Sequence, residues 1–232
     1  MARQQPEQRR PPEAWILLRY TKFGPSRFMS ARDVARVMER AVKRAGVPVA
    51  YSSGFSPHQR ISYAFPAPTG AASAAEYALI ALESSMTAED VTTKLNDAMP
   101  TGMEVFASVT DKAPLPPRLE ASTWLVEWPE VRPSLELSSA VDAFMAADAV
   151  VVDRRAKSGV KQQDVRAAVL AMTAEKDLTM TLRQDEPLIR PGDVVTGLVA
   201  WCPGIGDWGR ASLFRSKQGR LATAGGQVQS LE

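Results

Sequence analysis

The sequence predicts an α+β protein built of two similar lobes, on three observations. Two segments with helical spacing, each opened by a capping residue, are interleaved with apolar runs of strand length in the order β-α-β-β-α-β. Residues 112–118 (KAPLPPR) follow as a proline-stiffened linker. Strand and helix patterns of similar order then recur, without a residue-level repeat. The order β-α-β-β-α-β is the split βαβ pattern of a ferredoxin-like sandwich. The expected architecture is therefore a duplicated ferredoxin-like (βαββαβ) sandwich with lobes at residues 14–112 and 119–223. Residues 1–13 are polar and proline-bearing with no apolar core, so they read as a disordered lead-in and not a signal peptide. Residues 224–232 read as a disordered tail.

Each element has its own signal. Residues 15–20 (WILLRY) are long enough for a buried strand and too short for a helix. Gly24-Pro25-Ser26 turns the chain. Ser30 and Asp33 have the spacing of a capping box, with Asp in place of Glu. Val34, Val37, Met38, Ala41, Val42 and Ala45 form the apolar face of the helix they open, which Gly46 and Pro48 end. Residues 47–51 are expected as a strand, 52–70 as a long loop with an extended piece near 61–65, and 76–82 (EYALIAL) as a strand. Thr87 and Asp90 cap a second helix carrying Val91, Leu95 and Ala98; Gly102 closes it before a fourth strand at 103–109. In the second lobe the patterns predict a strand at 123–128, a helix at 138–147 and a strand at 149–155. Residues 163–173 and 178–183 read as an antiparallel pair turning at 175–177, with a helix over 165–172 as the alternative, since the apolar positions there do not decide between the two. A helix from Arg190-Pro191-Gly192-Asp193 to Trp201 and a weak strand at 210–214 complete it.

The 232 residues carry a net charge of only +2, but the charge is unevenly spread. Residues 1–60 hold twelve basic and four acidic groups (+8), residues 61–150 sum to −9, and residues 151–232 to +3. A basic first third creates a local field attractive to phosphates even in a nearly neutral chain. No apolar run is long enough to span a membrane. The single cysteine, Cys202, excludes an internal disulfide and fits a reducing cytoplasm. It also excludes a cysteine-ligated iron–sulfur cluster or structural zinc site built by this chain alone, so neither metal nor cofactor is expected.

Candidate functional residues concentrate in residues 19–70. Arg32, Arg36, Arg40 and the Lys43-Arg44 pair recur every three or four residues on the wet face of the first helix, where guanidinium groups match phosphate oxygens. The loop from Tyr51 to Arg60 combines Gly54, Phe55, His58 and Arg60; with Tyr63 it offers Tyr51, Phe55 and Tyr63 as stacking surfaces for bases. His58, the only histidine, can act as acid, base or phosphate donor. One imidazole supplies only half of an acid–base pair, leaving Lys22, Tyr20, Tyr51 or solvent to complete it. Arg19, Lys22 and Arg27 flank the turn into the helix, and Arg154, Arg155 and Lys157 form a second basic cluster.

Residues 19–77 resemble the uncharacterised radical-SAM-associated protein family, found free-standing or fused behind a cobalamin-binding radical SAM domain. The likeness lies in Arg19-Tyr20, Lys22, Gly24, Arg27-Phe28, Ser30, Asp33, Glu39-Arg40-Ala41, Tyr51-Ser52, Gly54-Phe55, Pro57-His58, Arg60-Ile61-Ser62, Pro66, Gly70 and Glu76-Tyr77. A looser likeness continues at Asp153-Arg154-Arg155, Lys157, Gly159 and Lys161. Many members have Ser-His-x-Asp at the helix start, where this chain has Ala31. Radical SAM chemistry needs three cysteines on one cluster, so the resemblance implies an accessory partner of such an enzyme. The resulting expectation is a non-catalytic, cytoplasmic RNA-binding accessory protein that works with a radical SAM enzyme in modification of tRNA or rRNA. One alternative is a metal-independent endoribonuclease using His58, since the tandem plan resembles the CRISPR RNA-processing endoribonucleases. Another is a protein-interaction subunit whose basic helix docks an acidic enzyme surface.

Overall fold

A computed structural model describes residues 9–128, 134–156, 159–175, 177–201, 209, 211–222 and 227–231. The protein is α+β, with mostly antiparallel pairing and four helices among the described residues. It divides into two compact units, one formed by residues up to 69 with 75–117, the other by residues 70–74 with 118–231.

In the first unit, β1 (Ala14–Lys22) is followed by α1 (Ala31–Arg44), β2 (Ile61–Tyr63), β3 (Ala72–Leu82, whose first three residues count with the second unit), α2 (Ala88–Ala98) and β4 (Val105–Thr110). The strand order is β4-β1-β3-β2, with β1–β4 and β2–β3 antiparallel. Alternation along β1 sends Ile16, Leu18 and Tyr20 into the core with Val34, Met38 and Val42 of α1 and Val91 and Leu95 of α2. Burial of these side chains beneath two amphipathic helices is the main force holding this unit together. α1 starts as its sequence predicts, with a complete Ser30–Asp33 capping box. The strand expected at 47–51 shrinks to two isolated bridges, Val49 to Leu82 and Tyr51 to Gln59. Pro48 is the reason: it has no N–H to give to a ladder, although its carbonyl accepts from Glu83 N at 2.7 Å.

Gly102 sits between α2 and β4 where no other residue fits. Its φ is +88°, and a Cβ there would lie 2.3 Å from the Phe23 carbonyl oxygen, beside the 2.8 Å bond from Phe23 N to Gly102 O. Gly102→Ala is expected to cost about 2 kcal/mol, read from denaturant unfolding; an unchanged midpoint would contradict the close approach.

The second unit contains β5 (Ala121–Glu127), α3 (Ser134–Ala146), β6 (Val151–Ala156), β7 (Gly159–Asp164), β8 (Val169–Ala174), β9 (Leu178–Arg183), α4 (Pro191–Trp201), β10 (Ser212–Leu221) and β11 (Val228–Ser230). Its strand order is β10-β5-β9-β8, with β11 on β10 and a separate β6–β7 hairpin. Residues 72 and 73 pair in parallel with Phe214 and Arg215 of β10, where Arg215 Nε donates to Ser73 Oγ at 3.2 Å. The pair expected between 163–173 and 178–183 forms only from Val169 onward, because residues 163 and 164 end the β6–β7 hairpin. Asp164 makes that break: its carboxylate accepts from Val150 N at 2.9 Å and Arg166 N at 3.0 Å, folding the chain into a short 3-10 turn. The weak strand expected at 210–214 is the longer β10.

Candidate nucleic-acid interface

The wet face of α1 is as basic as its spacing implies. Arg32, Arg36, Arg40 and Lys43 are exposed, and Arg44 donates to the Ala98 carbonyl. Arg36 pairs with Asp33 at 3.9 Å, but both side chains are largely exposed, so the pair contributes little. Asp33 is committed to the helix start. Its carboxylate accepts from Ser30 Oγ at 2.6 Å and Ser30 N at 3.2 Å, while Asp33 N donates to Ser30 Oγ at 3.2 Å. Hydrogen bonding from the Ser30 side chain, then from its backbone, with the charges of Arg36 and Arg32, lowers the Asp33 pKa. A carboxyl lowered in the folded state stabilises above its unfolded pKa, and that contribution is lost as pH falls through the folded value. In Ser30→Ala the Asp33 carboxyl is therefore expected to rise toward the ordinary range in an NMR titration. Part of the resulting stability deficit should vanish on acidification; an unmoved titration would contradict the box.

A groove of about 660 Å³ lies elsewhere on the first unit. Four cations line it, Arg9, Arg10, Arg60 and Lys112, together with the rings of Trp15 and Tyr51; no carboxylate lines it among the described residues. The rings are held by backbone pairing. Trp15, the second residue of β1, pairs with Thr110 of β4, and Tyr51 bridges Gln59. The loop between them in space is clasped by Ser52: its N donates to His58 O at 2.9 Å, and its hydroxyl accepts from His58 N at 3.1 Å and meets Nδ1 at 2.9 Å. Arg60 N donates to Ala50 O at 2.8 Å, which fixes the root of that side chain. The N-terminal wall is docked by Glu13 N on Leu82 O at 2.9 Å and Arg9 N on Ser53 Oγ at 3.1 Å. The Arg60 guanidinium stands 5.4 Å from the Trp15 centroid and that of Arg9 5.2 Å from Tyr51, both within cation–π range. Arg9 also reaches Glu83 at 3.6 Å.

Of the residues proposed from sequence, the structure brings Tyr51 and Arg60 together in this groove and holds exposed His58 against its wall through Ser52. Others are placed elsewhere. Lys22 is only 1 % exposed and its Nζ donates to the carbonyls of Ala67 at 3.3 Å and Pro68 at 3.2 Å. It lines a separate cavity of about 120 Å³ with Tyr20, Val34, Tyr63 and Glu76, whose carboxylate accepts from Ala67 N at 3.1 Å. Ala31 lies at the rim of that cavity. Tyr63 packs against the core with its hydroxyl buried and unpaired; burial first, then the charge of Glu39, raises its pKa. That ring is not a surface platform. Arg19 lies over Phe106 at 4.4 Å and Arg27 over Phe28 at 5.6 Å, whereas Phe55 is 71 % exposed in the loop. In the second unit Arg154 is engaged by Gln163, the Leu188 carbonyl and Asp193, while Arg155 is exposed on β6. Lys157 and Cys202 lie outside the described residues.

Sequence reasoning missed Trp15, Arg9, Arg10 and Lys112. Trp15 had a signal: with Ile16, Leu18 and Tyr20 facing the core, period-2 alternation sends Trp15 to the opposite face. Arg9 and Arg10 fell in the supposed lead-in and Lys112 in the linker. No group of three or more His, Cys, Asp and Glu is placed to hold a metal ion among the described residues. No helix among them is long and apolar enough to cross a membrane.

A family model described as "Uncharacterized protein conserved in bacteria (DUF2344)" matches residues 16–191. No curated protein matches the chain. A solved structure described as "Crystal Structure of an Unknown Protein from Galdieria sulphuraria" is 14% identical, covering 90% of this chain and 99% of that one at a TM-score of 0.27, which supports no structural argument. With most of its length matched, from the third residue of β1 to the start of α4, the chain belongs to the family of uncharacterized proteins conserved in bacteria, DUF2344.

Proposed function

We propose that the protein is a non-catalytic RNA-binding accessory component, acting in the cytoplasm beside a radical SAM enzyme in RNA modification. The observation that carries the RNA reading is the groove of the first unit, where four cations and two half-buried rings converge with no lining carboxylate among the described residues. Cations neutralise phosphates and rings accept base faces, a pairing that a purely structural groove has no use for. The orders β4-β1-β3-β2 and β10-β5-β9-β8, each the fourth, first, third and second strand of a βαββαβ unit once the β6–β7 hairpin is set aside, support reading the chain as a duplicated ferredoxin-like protein. The radical SAM setting rests on the resemblance across residues 19–77. A non-catalytic role is supported by His58, the chain's sole imidazole, which is occupied in clasping its own loop.

Fluorescence anisotropy with labelled tRNA and rRNA fragments tests the reading. Three to four phosphate contacts should make log affinity fall with log salt at a slope of about −2 to −3, and Arg60→Ala should make that slope shallower by about 1. Absent binding, or binding indifferent to salt, would contradict it. The enzyme partnership is tested by pull-down with and without RNase; a complex that dissolves on RNase treatment would show RNA to be the bridge.

A further inference from the structure

We infer that the groove is a site for unpaired RNA, in which a base stacks on Trp15 or Tyr51 while the neighbouring cations take the phosphates. This rests on the RNA-binding reading above and specifies the form of RNA. In an A-form duplex the base faces are already stacked on one another, and proteins grip such duplexes by their shape, phosphates and 2′-hydroxyls over surfaces of about 16 base pairs. Two rings set into a concave groove have nothing to engage there. A groove of about 660 Å³ is the size of a small-molecule pocket, suited to a few splayed nucleotides.

The cation–ring pairs make the exchange chemically direct. In the free protein the Arg60 guanidinium covers Trp15 and that of Arg9 covers Tyr51. Both are long side chains, and Arg9 keeps 46 % of its side chain in solvent. A base that slides over a ring displaces a guanidinium toward the phosphate of the same nucleotide; Arg60 turns directly, and Arg9 exchanges its 3.6 Å contact with Glu83 for it. An exposed cation–π contact is weaker than base stacking, so the exchange is favourable, and the phosphate contact adds to it. The backbone that carries each ring needs no ordering, since the β1–β4 pairing and the Ser52–His58 clasp already fix it. The exposed arginines of α1 lie on a regular convex helix face with no stacking partner in the groove, and a short single strand does not need them.

The test uses the full chain, a short labelled single-stranded RNA, and the same strand annealed to its complement. The single strand should bind at least about tenfold more tightly than the duplex, and Trp15→Ala and Tyr51→Ala should each weaken single-strand binding by about tenfold while leaving duplex binding unchanged. Arg60→Ala should weaken both, and Trp15→Phe, which keeps a ring, should retain most of the affinity even if the alanine variant folds poorly. Equal affinity for duplex and single strand would overturn the inference. So would a Trp15→Ala variant, folded by circular dichroism, that binds single strands as wild type does. In either case, salt-sensitive binding lost in Arg60→Ala would leave the RNA reading standing; no binding of either RNA would overturn both.

Discussion

The double variant Trp15→Ala/Arg60→Ala is expected to lose RNA affinity by roughly 300-fold, more than the product of two single losses of about tenfold each. The excess has a definite origin. In the free protein the guanidinium of Arg60 lies 5.4 Å from the Trp15 centroid, and that contact is given up when a base takes the ring. Each single substitution removes a bound-state contact, stacking in one case and a phosphate contact in the other. Each also removes the need to break the cation–π contact, so each single loss is reduced by its value, about 0.5–1 kcal/mol. The double variant recovers that value only once. Its loss therefore exceeds the sum of the singles by about 0.5–1 kcal/mol in a double-mutant cycle. A cycle of opposite sign would mean that Arg60 and Trp15 remain together on the bound base.

Lys22→Met is expected to destabilise the first unit by about 4 kcal/mol, the largest stability loss expected of any single substitution considered for this protein. Lys22 follows Ile16, Leu18 and Tyr20 on the core-facing side of β1, and at 1 % exposure its ammonium is out of water. It is stabilised there by the carbonyls of Ala67 and Pro68, in a cavity that also holds the carboxylate of Glu76. Methionine keeps the length of the stem but leaves two carbonyls without this donor and removes a cation from the enclosure around a buried carboxylate. Glu76→Gln should cost less, because an amide oxygen can still accept from Ala67 N. Denaturant unfolding reads both. A loss below about 1 kcal/mol for Lys22→Met would show that the ammonium contributes little there. The salt dependence of RNA binding should be unchanged in a folded Lys22→Met protein, since a buried ammonium releases no counterion.

The local elements were largely readable from sequence because their causes are local. The capping box of α1, its apolar stripe and the apolar run of β1 all lie within a few residues of the structure they specify. The strand expected at 47–51 failed on one residue, Pro48, whose missing N–H outweighed the apolar run around it. The hairpin boundary at Asp164 was hidden because a side chain hydrogen-bonding to the backbone N–H of both Val150 and Arg166 leaves no periodic trace. For the candidate site, the Tyr51–Arg60 loop was visible as a cluster in one segment. Its partners Arg9, Trp15 and Lys112 come from three other places in the chain, and only strand pairing and the docking of Glu13 on Leu82 assemble them. Lys22 was misread as an available cation because its residue type outweighed its register. Counting by twos from Ile16 places it on the buried face.

Ultraviolet crosslinking of single-stranded RNA to the full chain, with the crosslinked peptides mapped by mass spectrometry, tests the central claim most directly. The expected result is crosslinks at Trp15 and within residues 51–60, lost from the Trp15 peptide in Trp15→Ala. Crosslinks confined to the second unit, or none in the groove under conditions where RNA is bound, would contradict it.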